Sequence, residues 1–211
     1  VVMTTATQSY LDVVVNWLLH TSASSTALQS VLIGAMDWRS FHLLAGLYAP
    51  VFPLLPRYTT GAARMHEGGR RFDGVWIERS EALLLLLQQG FNIIMSDADA
   101  VWTSNAWIPL LNQTDVEGEN LDVIASAGTF PPKFRQALGG STAVMGFILL
   151  RASARMVSFY EEVQEVNREI GDDQISFNQQ LAMLIQDRTR VECTQRPLAN
   201  EASMRGRSCS T

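Results

Sequence analysis

Apolar residues along the chain fall into two recurring patterns, short uninterrupted runs and runs with helical spacing. Short runs bounded by turn residues are typical of buried strands, and apolar residues at i, i+3, i+4 and i+7 are typical of amphipathic helices. The predicted strands are 1–5, 31–33, 51–52, 91–95, 123–125 and 143–150. The predicted helices are 10–19, 38–47, 79–89, 152–166 and 173–185. Alternation of strands and helices predicts an α/β fold whose mostly parallel sheet is flanked by helices.

Residues 53–74 interrupt this pattern because they are rich in proline, glycine, arginine and threonine, a composition typical of a flexible loop. Its arginines, Arg64, Arg70 and Arg71, either face solvent or belong to a lid over a ligand. No internal repeat or interdomain linker is recognisable in the sequence. We therefore predict a single domain over residues 1–211.

Composition and charge exclude several classes of protein. A chain of 211 residues that is 47% hydrophobic can bury a substantial core, and its net charge of −5 gives no attraction to nucleic acid. The longest apolar run, Ala143–Leu150, is shorter than the roughly 20 residues that cross a bilayer, so no membrane contact is predicted within this segment. Because the first residue is not methionine, a removed leader or membrane anchor stays open. Cys193 and Cys209 are too few for a disulfide scaffold, although they could pair in an oxidising compartment.

Two aspartates, Asp97 and Asp99, follow the fourth predicted strand. Residues two apart on a strand point to the same side, so both carboxylates are expected together at the C-terminal edge of the sheet, where open α/β sheets bind ligands. Close carboxylates repel each other unless a cation lies between them. Mg²⁺ and Mn²⁺ prefer oxygen ligands, commonly one or two carboxylates completed by water and substrate phosphates. The pair therefore predicts a divalent-metal site that also binds a diphosphate, and the alternative is a solvated turn.

Several segments of the chain form a recognisable set. Around the acidic pair they are 79–81, a leucine-rich helix, 90–92 and 96–102. Elsewhere they are 1–5, 10–12, 16–17, 35–37, 146–147, 173–174 and 177–178. In order and spacing this set resembles the nucleotide-diphospho-sugar transferases of glycosyltransferase family 77, which include plant rhamnogalacturonan xylosyltransferases and related arabinosyltransferases.

The resemblance implies both a fold and an activity. The implied fold is a GT-A-like, Rossmann-type α/β domain. The implied activity is metal-dependent, retaining transfer of a pentose or galactose from a UDP-linked nucleotide-sugar donor to a glycan or glycoprotein acceptor. The implied cofactor is Mn²⁺ or Mg²⁺, and the implied location of a eukaryotic member is the Golgi lumen, with a membrane anchor in the full-length form. The alternative is a catalytically degenerate transferase fold that acts as a binding or scaffold module.

The resemblance also implies which residues bind the donor. Asp97 and Asp99 would bind the metal and, with Ala98, contact the nucleotide. Thr4, Thr5 and Asp37 would lie beside the nucleoside, and Arg79 and Ser80 would approach its ribose or phosphates. Each has a structural alternative, because threonines can end a strand, Asp37 can cap the helix that begins at Trp38, and Arg79 can be an ordinary helix-end charge.

Catalytic and acceptor residues are implied in the second half of the chain. Asp173 and Gln174 resemble the Asp-Gln element of retaining GT-A enzymes, which would set them beneath the reacting sugar. The alternative is that Asp172 and Asp173 stabilise the positive end of a helix. Gly146 and Phe147 would shape an acceptor pocket, and the alternative is a turn that leads into a central strand.

Two features of the sequence leave the assignment of the site open. Tryptophans at 76, 102 and 107 could stack on a sugar, although packing in a core is their more common use. Relatives usually have a histidine beyond the Asp-Gln helix, whereas the histidines here, His20, His42 and His66, all lie upstream. Three explanations remain: the recorded chain stops short of that histidine, the protein binds its diphosphate with fewer ligands, or the activity has been lost.

Overall fold

The computed structural model describes residues 1–23, 30–47, 50–55, 73–102 and 121–195. Its strands are β1 Val2–Ala6, β2 Val31–Ala35, β3 Val51–Pro53, β4 Ile93–Ser96, β5 Val123–Gly128 and β6 Thr142–Leu150. Its α-helices are α1 Leu11–Ala23, α2 Trp38–Leu47, α3 Asp73–Gln88, α4 Ala154–Ile170 and α5 Asp173–Gln195. Two short 3-10 turns span Gln8–Tyr10 and Pro132–Phe134.

The strands form one six-stranded sheet in the order β3-β2-β1-β4-β6-β5. The four strands from β3 to β4 run parallel, and β6 runs antiparallel to its neighbours β4 and β5. Strand β5 therefore points the same way as β4, so the C-terminal ends of β1, β2, β4 and β5 share one edge, here called the carboxyl edge. The predicted GT-A-like α/β architecture is confirmed, with β6 as the one reversed strand among those described.

Helices cover both faces of the sheet, and each face has its own core. Met3 and Met95 pack with α3, α4 and α5 on one face, whereas Val2 and Ile94 pack with Trp17 of α1 on the other. Neighbouring residues of a strand thus enter opposite cores. Burial on both faces explains why these strands read as continuous apolar runs rather than as alternating patterns.

Local signals set the helix ends. Ser153 caps α4 by accepting a hydrogen bond from the backbone N–H of Met156 at 3.0 Å. Helix α4 ends at Ile170, and Gly171 caps it with a φ of 76° that suits a residue without a Cβ. Helix α3 begins at Asp73, upstream of the predicted start at Arg79, because Ile77 is buried and adds apolar contacts before the arginine. Of the predicted loop 53–74, residues 56–72 lie outside the described residues.

Candidate active site

The carboxyl edge opens into a cleft of about 400 Å³, a size suited to a small-molecule ligand. The ends of β1, β2 and β4 form its floor, and the start of α3 forms a wall. Its lining residues are Thr5, Thr7, Tyr10, Met36, Val75, Trp76, Asp97, Ala98 and Asp99. Four of the predicted donor-site residues, Thr5, Asp97, Ala98 and Asp99, therefore lie together in one cleft.

The acidic pair reaches this cleft from a turn and not from a strand. Strand β4 ends at Ser96, the backbone N–H of Asp97 donates to the carbonyl of Gly146 at 2.7 Å, and that of Ala100 donates to the carbonyl of Asp97 at 3.0 Å. The expectation that strand periodicity aligns Asp97 with Asp99 is therefore wrong. The two carboxylates line the same cleft because the chain folds back immediately after β4, as aspartate-containing segments commonly do.

A buried polar contact holds the end of β4. The Ser96 hydroxyl accepts hydrogen bonds from the indole N–H groups of Trp17 at 3.3 Å and Trp102 at 3.0 Å. The two indoles meet edge to face with ring centres 6.3 Å apart, and Trp102 meets Phe147 in the same way at 5.7 Å. Trp102 is therefore a core residue, and Phe147, predicted to bind an acceptor, uses its ring for packing.

Strand β6 is irregular where it faces the acidic pair. Its register with β5 shifts between Ala125 and Ser126, so residues 145–147 have no partner on β5 and interrupt the pairing, an irregularity of the kind often found beside active sites. A Cβ on Gly146 would lie 2.6 Å from Oδ2 of Asp97, closer than two such atoms can pack. Gly146, predicted to contact an acceptor, thus provides the space for the Asp97 carboxylate.

Arg79 connects the two halves of the site. Its guanidinium donates from Nε to Oδ2 of Asp173 at 2.7 Å and from Nη1 to Oδ1 of Asp97 at 2.9 Å. Its Nη2 also forms an ion pair with Oδ2 of Asp173 at 2.6 Å. The guanidinium carbon lies 4.2 Å from the centre of the Trp76 ring, a cation–π contact. Arg79 is only 3% exposed, so it reaches the cleft through Asp97. The family resemblance implies a position for Arg79 beside the donor phosphates, but it does not predict the contacts of Arg79 with both Asp97 and Asp173.

The charged side chains in this bridge shift one another's pKa. Burial lowers the pKa of Arg79, but the carboxylates of Asp173 and Asp97 more than reverse that effect. Burial raises the pKa of Asp173, and the Arg79 guanidinium opposes this shift without cancelling it. Asp173 lies in the first turn of α5, and the predicted cap of that helix by Asp172 is confirmed, because its carboxylate accepts from the Ile175 N–H at 2.9 Å.

Gln174, the second predicted catalytic residue, has both ends of its amide engaged. Its Nε2 donates to the carbonyl of Phe130 at 2.8 Å, and its Oε1 accepts from the N–H of Met145 at 3.2 Å. One turn later, Asn178 exchanges two hydrogen bonds of 2.8 Å with the N–H and carbonyl of Ala143. These side chains attach α5 to the start of β6. Neither Asp173 nor Gln174 is among the residues that line the cleft.

The remaining predicted donor residues differ in their surroundings. Thr5 lines the cleft, whereas the Thr4 side chain is fully buried. Asp37 caps α2, accepting from the Ser40 N–H at 2.7 Å, and also accepts from the Gln8 N–H at 2.7 Å. Burial would raise the pKa of Asp37, but these hydrogen bonds lower it below its usual value. Asp37 thus fixes the Gln8–Tyr10 turn, whose last residue lines the cleft.

Ser80 belongs to a buried polar row between α3 and α4. Its hydroxyl and that of Tyr160 are neighbours, but neither has a well-formed hydrogen bond to another of the described residues. Gln164 and Asn167 continue the row along one face of α4. Ser80 is fully buried and absent from the lining of the cleft, so its described contacts are with the helix interface.

The acidic pair has the chemistry for a divalent cation. Asp97 is 40% exposed at its side chain although Arg79 binds Oδ1, and both Asp97 and Asp99 face the cleft. Within the described ranges, no group of three or more histidine, cysteine, aspartate or glutamate residues comes together. Two carboxylates suffice for Mg²⁺ or Mn²⁺ when water and substrate phosphates complete the shell, so the residues present fit such an ion. His66, Trp107 and Cys209 lie outside the described residues, as does the side chain of Cys193.

The sheet order and the helices on both faces define a GT-A-like α/β domain, with a cleft and an acidic turn at its carboxyl edge. The chain belongs to the nucleotide-diphospho-sugar transferase family, whose model matches residues 26–202. It is 31% identical to the β-arabinofuranosyltransferase RAY1 of Arabidopsis thaliana over 115 residues, which are 53% of this chain and 20% of that protein. It is 26% identical to the arabinosyltransferase XEG113 of the same plant over 110 residues, which are 50% of this chain and 16% of that protein.

The matches therefore span a fifth or less of each of these curated relatives. None of the helices in the described ranges combines the length and apolar character needed to cross a membrane.

Proposed function

We propose that this chain is the donor-binding and catalytic part of a glycosyltransferase. It moves a pentose or galactose from a UDP-sugar to a glycan or glycoprotein acceptor, with retention of configuration and with the help of Mn²⁺ or Mg²⁺. The observation that carries the proposal is the placement of Asp97 and Asp99 in a ligand-sized cleft, with Asp97 held from behind by Arg79 and Gly146. The Golgi lumen is the location we propose, in line with this chemistry.

The cleft suggests how a donor binds. Tyr10 and Trp76 offer aromatic surface for a base or a ribose, and the end of β1 offers hydroxyl groups from Thr5 and Thr7. The diphosphate then points toward the acidic turn. Asp97 and Asp99 would hold the cation, which when bound supplies positive charge to the departing diphosphate.

In the transfer step, the bond between the anomeric carbon and the β-phosphate oxygen breaks as the acceptor oxygen bonds to that carbon. The proton of the acceptor hydroxyl passes to the departing phosphate oxygen, so no protein base is required. Retention requires that the acceptor approach from the face that the diphosphate leaves. Positive charge builds on the sugar in such transition states while negative charge builds on the departing diphosphate.

Arg79 and Asp173 act on this site through contacts with other residues. The hydrogen bond and ion pair between Arg79 and Asp173 fix the guanidinium, which then fixes one oxygen of Asp97 and leaves the other beside Gly146. The positive charge of Arg79 also offsets repulsion between Asp97 and Asp99. We therefore assign Arg79 and Asp173 as positioning residues for the metal ligand.

A panel of UDP-sugars tests the proposal, beginning with UDP-arabinose because both named relatives are arabinosyltransferases. The purified protein is incubated with Mn²⁺, each donor and plant cell-wall oligosaccharides, and products are followed by mass spectrometry. Asp99→Asn should abolish turnover, whereas Asp187→Asn, which changes an exposed carboxylate far along α5, should not. Turnover that survives Asp99→Asn and excess chelator would refute the metal-assisted mechanism.

The second candidate is a degenerate transferase that binds glycans without turnover. It is favoured by Gln174, whose amide is already engaged at both ends, and by Asp173, which is buried away from the cleft. Glycan binding by the wild-type protein, together with no product from any donor and no UDP binding, would support this candidate over the enzyme.

A further inference from the structure

Phe130 lies at the same edge of the sheet as the acidic pair. Strand β5 ends at Gly128, just before Phe130, and it points the same way as β4 because both are antiparallel to β6. Only β6 separates β4 from β5. Two strand spacings of about 4.8 Å separate β4 from β5 across the sheet, which is on the order of 10 Å. Gly128 pairs with Thr142 whereas Ser96 pairs with Phe147, so β5 also extends further than β4 at this edge.

The backbone at Phe130 is fixed by the site itself. Its carbonyl accepts from the Thr142 hydroxyl at 2.6 Å and from Nε2 of Gln174 at 2.8 Å. The same Gln174 amide accepts from the N–H of Met145, the residue next to Gly146 under the Asp97 carboxylate. A single amide group therefore connects Phe130 to the strand that supports the acidic pair.

The loop that follows Phe130 is closed by its own hydrogen bonds. Arg135 donates from Nε to the carbonyl of Gly140 at 2.9 Å, and its own carbonyl accepts from the Gly140 N–H at 2.7 Å. Backbone contacts on both sides thus hold this segment in place. The Phe130 ring nevertheless stays 49% exposed, so the fixed backbone presents an aromatic surface to solvent.

The cleft, the acidic turn and the Phe130 ring lie one after another along the carboxyl edge. The cleft lies on the side of β1 and β2, the acidic turn follows β4, and Phe130 follows β5. A donor bound in the cleft would occupy the β1 side of Asp97, so the β5 side of Asp97 would stay open to an acceptor. The C–H groups on one face of a sugar ring match the negative face of an aromatic ring.

We propose that the Phe130 ring stacks on a sugar of the acceptor glycan, across the acidic turn from the donor cleft. This inference rests on the proposed function and adds the residue that binds the acceptor. It adds Phe130 to the acceptor site, for which the sequence also predicts Phe147, a residue whose ring packs against Trp102.

The test compares Phe130→Ala with Phe91→Ala. Phe91 is a matched control because its ring is 47% exposed but precedes β4, which places it at the opposite edge of the sheet. Binding to an array of plant cell-wall oligosaccharides is measured for the wild type, both variants and Phe130→Trp. UDP binding with Mn²⁺ is measured on the same samples as a check of folding and of the donor site.

We expect Phe130→Ala to weaken binding to the best oligosaccharide by about three- to tenfold, the range for loss of one aromatic stacking contact. Phe130→Trp and Phe91→Ala should bind like the wild type, and UDP affinity should stay the same in all variants. The inference is overturned if Phe130→Ala keeps full glycan affinity, if Phe91→Ala loses as much, or if the wild type binds UDP but no oligosaccharide. Absence of UDP binding in the wild type would instead overturn the proposed function, and this inference with it.

Discussion

Replacement of Gly146 by alanine tests whether this glycine makes room for the Asp97 carboxylate. The new Cβ would lie 2.6 Å from Oδ2 and 3.3 Å from Cγ of Asp97, so the carboxylate must move. It cannot rotate freely, because its other oxygen is held by Arg79 at 2.9 Å. The variant must therefore either strain β6 or break the contact between Arg79 and Asp97.

The loss of stability and the loss of UDP affinity can each be estimated. Overpacking of this kind costs about 1–3 kcal/mol of stability, which urea unfolding can resolve. Displacement of one of two metal-binding carboxylates should weaken Mn²⁺-dependent UDP binding at least about tenfold, which corresponds to roughly 1.4 kcal/mol. Calorimetry of UDP binding with and without Mn²⁺ measures that loss.

Gly46→Ala is the control for this experiment. Gly46 lies in α2 on the surface, and a Cβ there would meet nothing within 4 Å. Alanine is favoured over glycine in a helix by about 1 kcal/mol, so this variant should gain stability and keep UDP binding. If Gly146→Ala bound UDP as tightly as Gly46→Ala does, with unchanged stability, the proposed fit between Gly146 and Asp97 would be wrong.

The other predictions concern charge. Arg79→Met should lower the free energy of unfolding by about 3–5 kcal/mol, because it leaves Asp173 buried without its partner, and urea unfolding should show partial recovery in Arg79→Met with Asp173→Asn. No recovery in the double variant would contradict this account of the pair. Asp37 has a pKa below that of an unfolded aspartate, so its stabilising effect is full above about pH 4 and is lost as pH falls through its folded pKa. Asp37→Asn should therefore reduce the loss of stability in that acid range, and unfolding curves that keep the wild-type pH dependence would count against this role.

Periodicity and turn residues were sufficient to predict most of the fold. The strands, α2 and the order of elements follow from apolar runs and from helical spacing, which are local properties of the sequence. The sequence predicts the start of α3 too late, because the residues near Asp73, where the helix begins, carry little helical periodicity. The sheet order, including the reversed β6, depends on contacts distant in sequence, so local patterns do not determine it.

The candidate site was only partly predictable for the same reason. Asp97 and Asp99 were found from their position after a strand, although the strand geometry used to align them was wrong. The bridge from Arg79 to Asp97 and Asp173 joins residues 18 and 94 positions apart, and no local pattern reports such a contact. Likewise, the roles of Gly146 and Gln174 depend on what packs against them, which appears only once β6 and α5 are placed.

Calorimetric titration of UDP into the purified protein tests the central claim, a metal-dependent nucleotide site at Asp97 and Asp99, most directly. The titration is made with Mn²⁺, with excess chelator, and on Asp99→Asn beside the Asp187→Asn control. We predict binding that requires Mn²⁺, disappears in Asp99→Asn and persists in Asp187→Asn. No UDP binding under any condition, or binding unaffected by chelator and by Asp99→Asn, would contradict the account.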